Sequence, residues 1–288
     1  MNTLKLGWIG LGKMGTPIVK NLLKAGYAVE VYNRTAGKDA EVVDAGARTA
    51  ESMEQLMTQC DVVFTMVSDD AAVKSVFEGQ GGLLTHGHSG KLIIDMSTVS
   101  PDTSRYLAAL CQSKGMRFLE APVSGSVKPA QDGTLIILAA GPRDAYETAK
   151  PLFDVIGKLS LHLGESGAGS YAKLAMNYYV ALVLQGVAEA VLFAEANGVK
   201  ADDMLTIMNE GAFASAAVKG KTPSILSQAF PPAFALKLMA KDLRLMKDAH
   251  LQSPMFAPVH SSYQDAVKAG LGEEDVMAIV KFLRTKND

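Results

Sequence analysis

Residues 4–15 read LKLGWIGLGKMG, and what they form decides the rest of the chain. Leu4–Ile9 has the length and apolar content of a buried parallel strand, and it passes directly into Gly10-Leu11-Gly12-Lys13-Met14-Gly15, the spacing G-x-G-x-x-G. Alone, such a pattern could merely turn a corner. Here a helical stretch, Pro17–Ala25, follows and stops at Gly26, so strand, turn and helix stand in the order that a dinucleotide site requires. Gly10 permits the tight turn, Gly12 lets the backbone approach a pyrophosphate, and Gly15 allows helix and strand to touch. The phosphates would meet the positive end of the helix.

A second strand, Ala28–Tyr32, runs into Asn33-Arg34-Thr35. An acidic residue that would bond an unphosphorylated ribose is expected near Asn33, and none is there. Arg34 can instead pair with a 2′-phosphate, so the turn reads as adapted to NADP(H). Further strands are expected at Asp61–Val67, Lys91–Asp95 and Arg117–Glu120, with helices at Ser52–Gln59, Ala71–Phe77 and Pro101–Lys114 between them. Strict alternation implies a doubly wound parallel sheet, a Rossmann-like α/β fold, with ligands at the strand carboxyl ends. Those ends are Met66-Val67-Ser68, Met96-Ser97-Thr98 and Ala121–Ser126. Thr134–Ala140 and Leu159–Leu163 are expected to finish the sheet, so residues 1–163 form the dinucleotide-binding domain. Residues 164–288 form an all-α carboxy-terminal domain for substrate and oligomerisation.

The second domain opens on Gly164–Phe193, a glycine-rich turn and then a run that is apolar nearly all round, as expected of a helix in a core or an oligomer interface. Asn177, Gln185 and Glu189 inside it argue against a membrane span. Lys173 and Asn177 are one helical turn apart on one face. Taken alone, the pair reads equally well as a snorkelling lysine with a core asparagine and as a reactive pair.

Composition narrows the classes. The chain has 288 residues, 48% hydrophobic, with a formal net charge of −2, which offers no basic field for nucleic acid or an anionic membrane. Cys60 and Cys111 make no disulfide framework. The start lacks the layout of a signal peptide and no transmembrane segment is expected, which points to the cytoplasm. His86 and His88 lack a third ligand nearby in sequence, so no metal is expected. Met-containing Leu236–Met246 has helical spacing and reads as core.

Four segments, DMST at Asp95–Thr98, APVSGS at Ala121–Ser126, GAGSYAKLAMN at Gly167–Asn177 and KDL at Lys241–Leu243, follow the glycine turn in order. Together they resemble the signature segments of the β-hydroxyacid dehydrogenase family. The runs FLEAPVSGSVKPAQDGTLIILAAG and FALKLMAKDLRL are most similar to its glyoxylate/succinic semialdehyde reductase branch. The resemblance implies an NADPH-dependent reductase of small carboxylated aldehydes, assembled as a dimer or tetramer. It also implies a catalytic Lys173, which would supply a proton to the oxygen of the reduced carbonyl, with Asn177 orienting substrate or lysine. Ser124, Gly125 and Ser126 offer hydroxyls and N–H groups suited to a carboxylate. Lys241 would reach the cofactor, and Asp242 would either steady it or be structural. Two alternatives stand beside this: a 3-hydroxyisobutyrate or related β-hydroxyacid dehydrogenase, and a non-catalytic dinucleotide-binding scaffold.

Overall fold

The computed structural model describes residues 4–85 and 89–287; His86 and His88 lie outside the described residues. The chain packs as two compact units, Met1–Lys173 and Leu174–Asp288.

In the first unit, strands and helices alternate from the amino terminus: β1 (Lys5–Ile9), α1 (Gly15–Lys24), β2 (Ala28–Tyr32), α2 (Ala40–Val43), β3 (Arg48–Thr49), α3 (Met53–Gln59), β4 (Val62–Thr65), α4 (Asp70–Glu78), β5 (Leu92–Asp95), α5 (Pro101–Ser113) and β6 (Arg117–Glu120). Helix starts are fixed by side chains that accept the orphan N–H groups of a first turn: Ser52 at α3, Asp69 at α4, and Ser100 followed by Pro101 at α5. The strands form a parallel sheet in the order β3-β2-β1-β4-β5-β6. Its two faces are covered by separate cores, one around Trp8, Phe64 and Phe153, the other around Met57, Phe77 and Phe118. Such double burial explains why β4 and β5 read as unbroken apolar runs.

The sheet does not extend as the sequence suggests. Thr134–Ala140 and Leu159–Leu163 were expected to finish it, but after β7 (Val123–Ser124) and α6 (Val127–Asp132), strands β8 (Leu135–Ala139) and β9 (Gly157–His162) make a second sheet, β7-β8-β9, with α7 (Arg143–Ile156) between them. The connection from β7 to β8 is too short for a parallel crossover, so the chain reverses and β8 pairs antiparallel with β7. One antiparallel bridge, Glu120 with Ala140, joins the end of β6 to the chain beyond β8.

Helix α8 (Ala168–Ala196) has 29 residues, about 44 Å at the α-helical rise. It is long and apolar enough by composition to cross a membrane. Yet Leu174, Ala181, Leu184, Ala188 and Val191 bury in the core of the second unit, as expected of an internal helix. The units part at Lys173, later than the expected boundary at Gly164, because the first turn of α8 is bonded to the first unit. Gly167 and Gly169 donate their N–H groups to Glu120 Oε1 at 2.6 and 2.8 Å, and the Ser170 hydroxyl donates to Oε2 at 2.7 Å. The remaining helices, α9 (Ala201–Glu210), α10 (Ala216–Ser227), α11 (Leu236–Asp248), α12 (Phe256–Ala266) and α13 (Ile279–Asn287), complete the second unit. Leu236, Met239, Leu243 and Met246 of α11 are buried, so the methionine-containing stretch is core. Buried Asp275 accepts N–H groups from Ala233, Phe234 and Met277 and pairs with Lys221 at 2.6 Å, which pins the loop leading into α11.

A second buried carboxylate lies beside Glu120. Asp95 is paired with it in the β5–β6 register and accepts hydrogen bonds on Oδ1 from the hydroxyls of Thr65 and Ser97, both at 2.7 Å. Burial raises its pKa from 3.8 to about 6, and the charge of Glu120 acts in the same direction. The folded state therefore binds this proton more tightly than the unfolded chain, a contribution to stability that is full below about pH 4 and lost as pH rises through about 6. Asp95→Asn keeps an acceptor oxygen for the same donors and removes the titration. Its unfolding free energy relative to the unmodified protein should improve by about 2 kcal/mol between pH 4.5 and 7.5. Urea unfolding at the two pH values measures this, and a difference that does not change with pH would contradict it.

Candidate active site

Parallel strands bring the expected site loops to one level. Tyr32, Ile9, Thr65, Asp95 and Glu120 stand in one register row across the sheet. The residues that follow them are Asn33, Gly10, Met66, Met96 and Ala121, so the glycine turn, the Asn33-Arg34-Thr35 turn, Met66-Val67-Ser68 and Thr98 all leave the same edge.

The glycine turn is built as its spacing predicts. Gly10 has φ +103°, and a Cβ there would collide with the Met66 carbonyl oxygen. A Cβ on Gly15 would collide with the Gly10 carbonyl and come 2.9 Å from the Trp8 indole nitrogen, which itself donates to the Gly10 carbonyl at 2.9 Å. By contrast, a Cβ on Gly12 would meet nothing within 4 Å. Helix α1 begins three residues on, at Gly15, with no acidic residue in its first turn and no side-chain cap. Exposed Gly12 and Lys13 therefore border open space at a positive helix end, the chemistry a pyrophosphate requires, so the residues fit a nicotinamide dinucleotide.

Asn33 does more than leave room for a phosphate. Its Oδ1 accepts the Leu11 N–H at 2.9 Å and its Nδ2 donates to the Thr35 carbonyl at 2.9 Å. One side chain thus clasps the glycine turn to the turn that carries exposed Arg34 and Thr35. At β4, the Val67 N–H donates to the Ser97 hydroxyl at 3.0 Å, and Ser97 donates to Asp95. Buried Asp95 therefore holds the Met66–Ser68 loop through a serine.

Ser124 lies in β7, Gly125 has φ +135°, and Ser126 stands at the start of α6 without a side-chain capping bond. Two half-exposed hydroxyls flank a glycine whose Cβ would press on Leu135 and Pro129. Lys173, half-buried, is the last residue of the first unit.

On α8 a polar stripe interrupts the apolar surface: Ser170, Lys173 and Asn177 follow at spacings of three and four on one face. Both neighbours of Lys173 on that stripe are tied to buried carboxylates, Ser170 to Glu120 and Asn177 to Asp242. In the second unit, Asn177 Nδ2 donates to Asp242 Oδ2 at 2.5 Å, and Lys241 Nζ lies 3.1 Å from Asp242 Oδ1. Asp242, 2% exposed, is shared by the asparagine and the lysine. The sequence reading joined Asp242 to Lys241 but not to Asn177, and it passed over Glu120, Asp95 and the clasp at Asn33. A carboxylate ending an apolar strand, as in RFLE at Arg117–Glu120 and LIID at Leu92–Asp95, was the available signal.

Cys60 and Cys111 are free and buried, and burial pushes both thiols up to about 12, so they are inert fillers. Among the described residues, no three His, Cys, Asp or Glu side chains come together in a metal-binding group.

Comparison with known proteins identifies the family. The family model described as the NAD binding domain of 6-phosphogluconate dehydrogenase matches residues 5–164. The model described as the NAD-binding domain of NADP-dependent 3-hydroxyisobutyrate dehydrogenase matches residues 167–283. The chain is 40% identical over 285 residues to glyoxylate/succinic semialdehyde reductase 1 of Arabidopsis thaliana, covering 98% of this chain and 99% of that one. It is 39% identical over 281 residues to human cytokine-like nuclear factor N-PAC, covering 96% of this chain and 51% of that protein. Among solved structures, Mycobacterium tuberculosis 3-hydroxyisobutyrate dehydrogenase with L-serine superposes with a TM-score of 0.87 at 28% identity, covering 98% of this chain and 99% of that one. With both halves of the chain matched in order and a relative 40% identical over 98% of it, the chain belongs to the β-hydroxyacid dehydrogenase family of NAD(P)-dependent oxidoreductases.

Proposed function

We propose that the protein is an NADPH-dependent reductase of small carboxylated aldehydes, glyoxylate and succinic semialdehyde, which it converts to the hydroxy acids. The observation that carries this reading is Lys173, placed between two anchored residues on the polar stripe of α8. Support for the substrate class comes from the reductase of Arabidopsis thaliana, similar over the whole chain.

A reduced nicotinamide dinucleotide, held by the glycine turn and Arg34, would supply hydride chemistry when bound. Lys173, as an ammonium, donates a hydrogen bond to the carbonyl oxygen, stabilises the charge that develops there and releases a proton to it, leaving an amine that water reprotonates. Asn177, its amide nitrogen committed to Asp242, orients the group beside it rather than transferring a proton. Ser124 and Ser126, with the backbone about Gly125, receive the substrate carboxylate. Lys241, paired with Asp242, is the lysine that the family resemblance assigns to the cofactor. Arg34 pairs with the 2′-phosphate, and Asn33 keeps that turn aligned with the glycine turn through Leu11 and Thr35.

A non-catalytic dinucleotide-binding scaffold is the rival reading, and the chain spans only about half of cytokine-like nuclear factor N-PAC, whose name carries no enzymatic activity. Initial rates on glyoxylate and succinic semialdehyde separate the two, since a scaffold binds NADPH without turnover.

NADPH should exceed NADH in kcat/KM, and Arg34→Asp should reverse the order. The phosphate contact is worth about 1.5–3 kcal/mol, a change of roughly ten- to a hundredfold in the ratio. Equal efficiencies with the two cofactors in the unmodified protein would count against the NADP(H) assignment. Lys173→Ala should lower kcat by about 10²–10⁴-fold while leaving the NADPH dissociation constant nearly unchanged, because the phosphates are held by the glycine turn and Arg34. Stopped-flow rates together with NADPH fluorescence titration measure both quantities. A folded variant that turns over at close to the unmodified rate would refute the role of Lys173.

A further inference from the structure

We propose that Glu120 is a positioning residue for the reaction: by holding the first turn of α8 against the end of β6, it sets where Lys173 stands. The proposal rests on the reading of Lys173 as the proton donor.

Glu120 is 1% exposed, and a carboxylate so deeply buried requires compensation. Four donors supply it, sorted by oxygen. Oε1 takes the backbone N–H groups of Gly167 and Gly169, and Oε2 takes the hydroxyls of Ser170 and of Ser104 from α5. Each pair fixes a different degree of freedom. The two glycine N–H groups fix where the helix begins along its axis. The Ser170 hydroxyl, coming from a side chain, fixes how the helix is rotated, while Ser104 holds the carboxylate itself in place.

Lys173 follows Ser170 by three residues, about 4.5 Å along the axis and on the same face. Rotation or translation of the helix start therefore moves the base of the lysine side chain directly. Contact is close as well as polar. A Cβ on Gly169 would collide with the Leu138 carbonyl oxygen and stand 3.2 Å from Glu120 Oε1, so the helix start has no slack against the strand ends. Stability alone does not call for this arrangement, because a well-packed apolar residue serves as well as a buried charge in that respect. A carboxylate with four directional partners instead selects one position and one rotation. A displacement of about 1 Å at a reacting group costs on the order of a hundredfold in rate, which is the scale on which such a device acts.

The test is a double-mutant cycle in the full-length protein, with kcat, the NADPH dissociation constant and Tm measured for Glu120→Ala, Glu120→Gln, Lys173→Ala and the Glu120→Ala/Lys173→Ala pair. Glu120→Ala should lower kcat by roughly ten- to a hundredfold with NADPH affinity unchanged. Glu120→Gln should restore most of the rate, since its amide oxygen accepts both glycine N–H groups and its NH₂ faces hydroxyls that can also accept. In the Lys173→Ala background, Glu120→Ala should add no further loss, because its effect passes through the lysine. Should Glu120→Ala fail to fold, Gly169→Ala carries the same test, its methyl forcing the helix start away from Leu138 with the carboxylate intact. Unchanged kcat in folded Glu120→Ala or Gly169→Ala would overturn the proposal, as would an equal loss in both backgrounds, the mark of a purely structural role. Loss of activity in Lys173→Ala beside full activity in Glu120→Ala would remove the proposal and leave the proton donor standing. Full activity in Lys173→Ala would remove both.

Discussion

A single buried carboxylate, Glu120, joins the two kinds of structure in this chain. It ends the edge strand β6 of the parallel sheet, and it accepts the N–H groups of Gly167 and Gly169 where α8 begins. Hydrogen bonds to a charged group contribute about 1.5–3 kcal/mol each, so four of them can offset a desolvation cost of several kcal/mol. What remains is direction. A helix of 29 residues, apolar nearly all round, has little in its own sequence to fix its rotation, and its polar ties do so.

From that constraint the arrangement of chemistry follows along two lines. Across the sheet, the parallel register places Tyr32, Ile9, Thr65, Asp95 and Glu120 at one level, so every loop expected to touch the cofactor departs from one edge. Along the helix, Ser170, Lys173 and Asn177 share a face, the outer two held by Glu120 and Asp242. Asp95 and Glu120, neighbours in the register, divide the work. One steadies the Met66–Ser68 loop through Ser97, and the other steadies the helix that carries the lysine.

Much of this was legible from residues alone, for definite reasons. Gly10, Gly12 and Gly15 are constrained by sterics that act within a few residues, so their spacing carries its meaning locally. The strands β1, β4 and β5 are short, mainly apolar runs between turn signals, and burial on both faces gives that pattern directly. The Lys173–Asn177 spacing is a property of one helix. Less legible was whatever depends on pairing across long separations. That β8 and β9 leave the main sheet depends on a short connection that reverses the chain. The bonds from Glu120 to Gly167, Gly169 and Ser170 span about fifty residues, and no local pattern encodes them. Asn33 illustrates the middle case: the missing acid was visible, but the clasp to Leu11 was not, because it is a contact between two loops.

The exchange of the Gly167 and Gly169 amide hydrogens with solvent deuterium tests the central interaction without reference to activity. If Glu120 fixes the start of α8, both amides in the unmodified protein exchange only through global unfolding, and in a folded Glu120→Ala variant they exchange by local opening while the amides of β1 and β4 stay protected. Exchange of the two glycine amides in the unmodified protein as fast as that of the exposed Ala36–Lys38 turn would contradict the account.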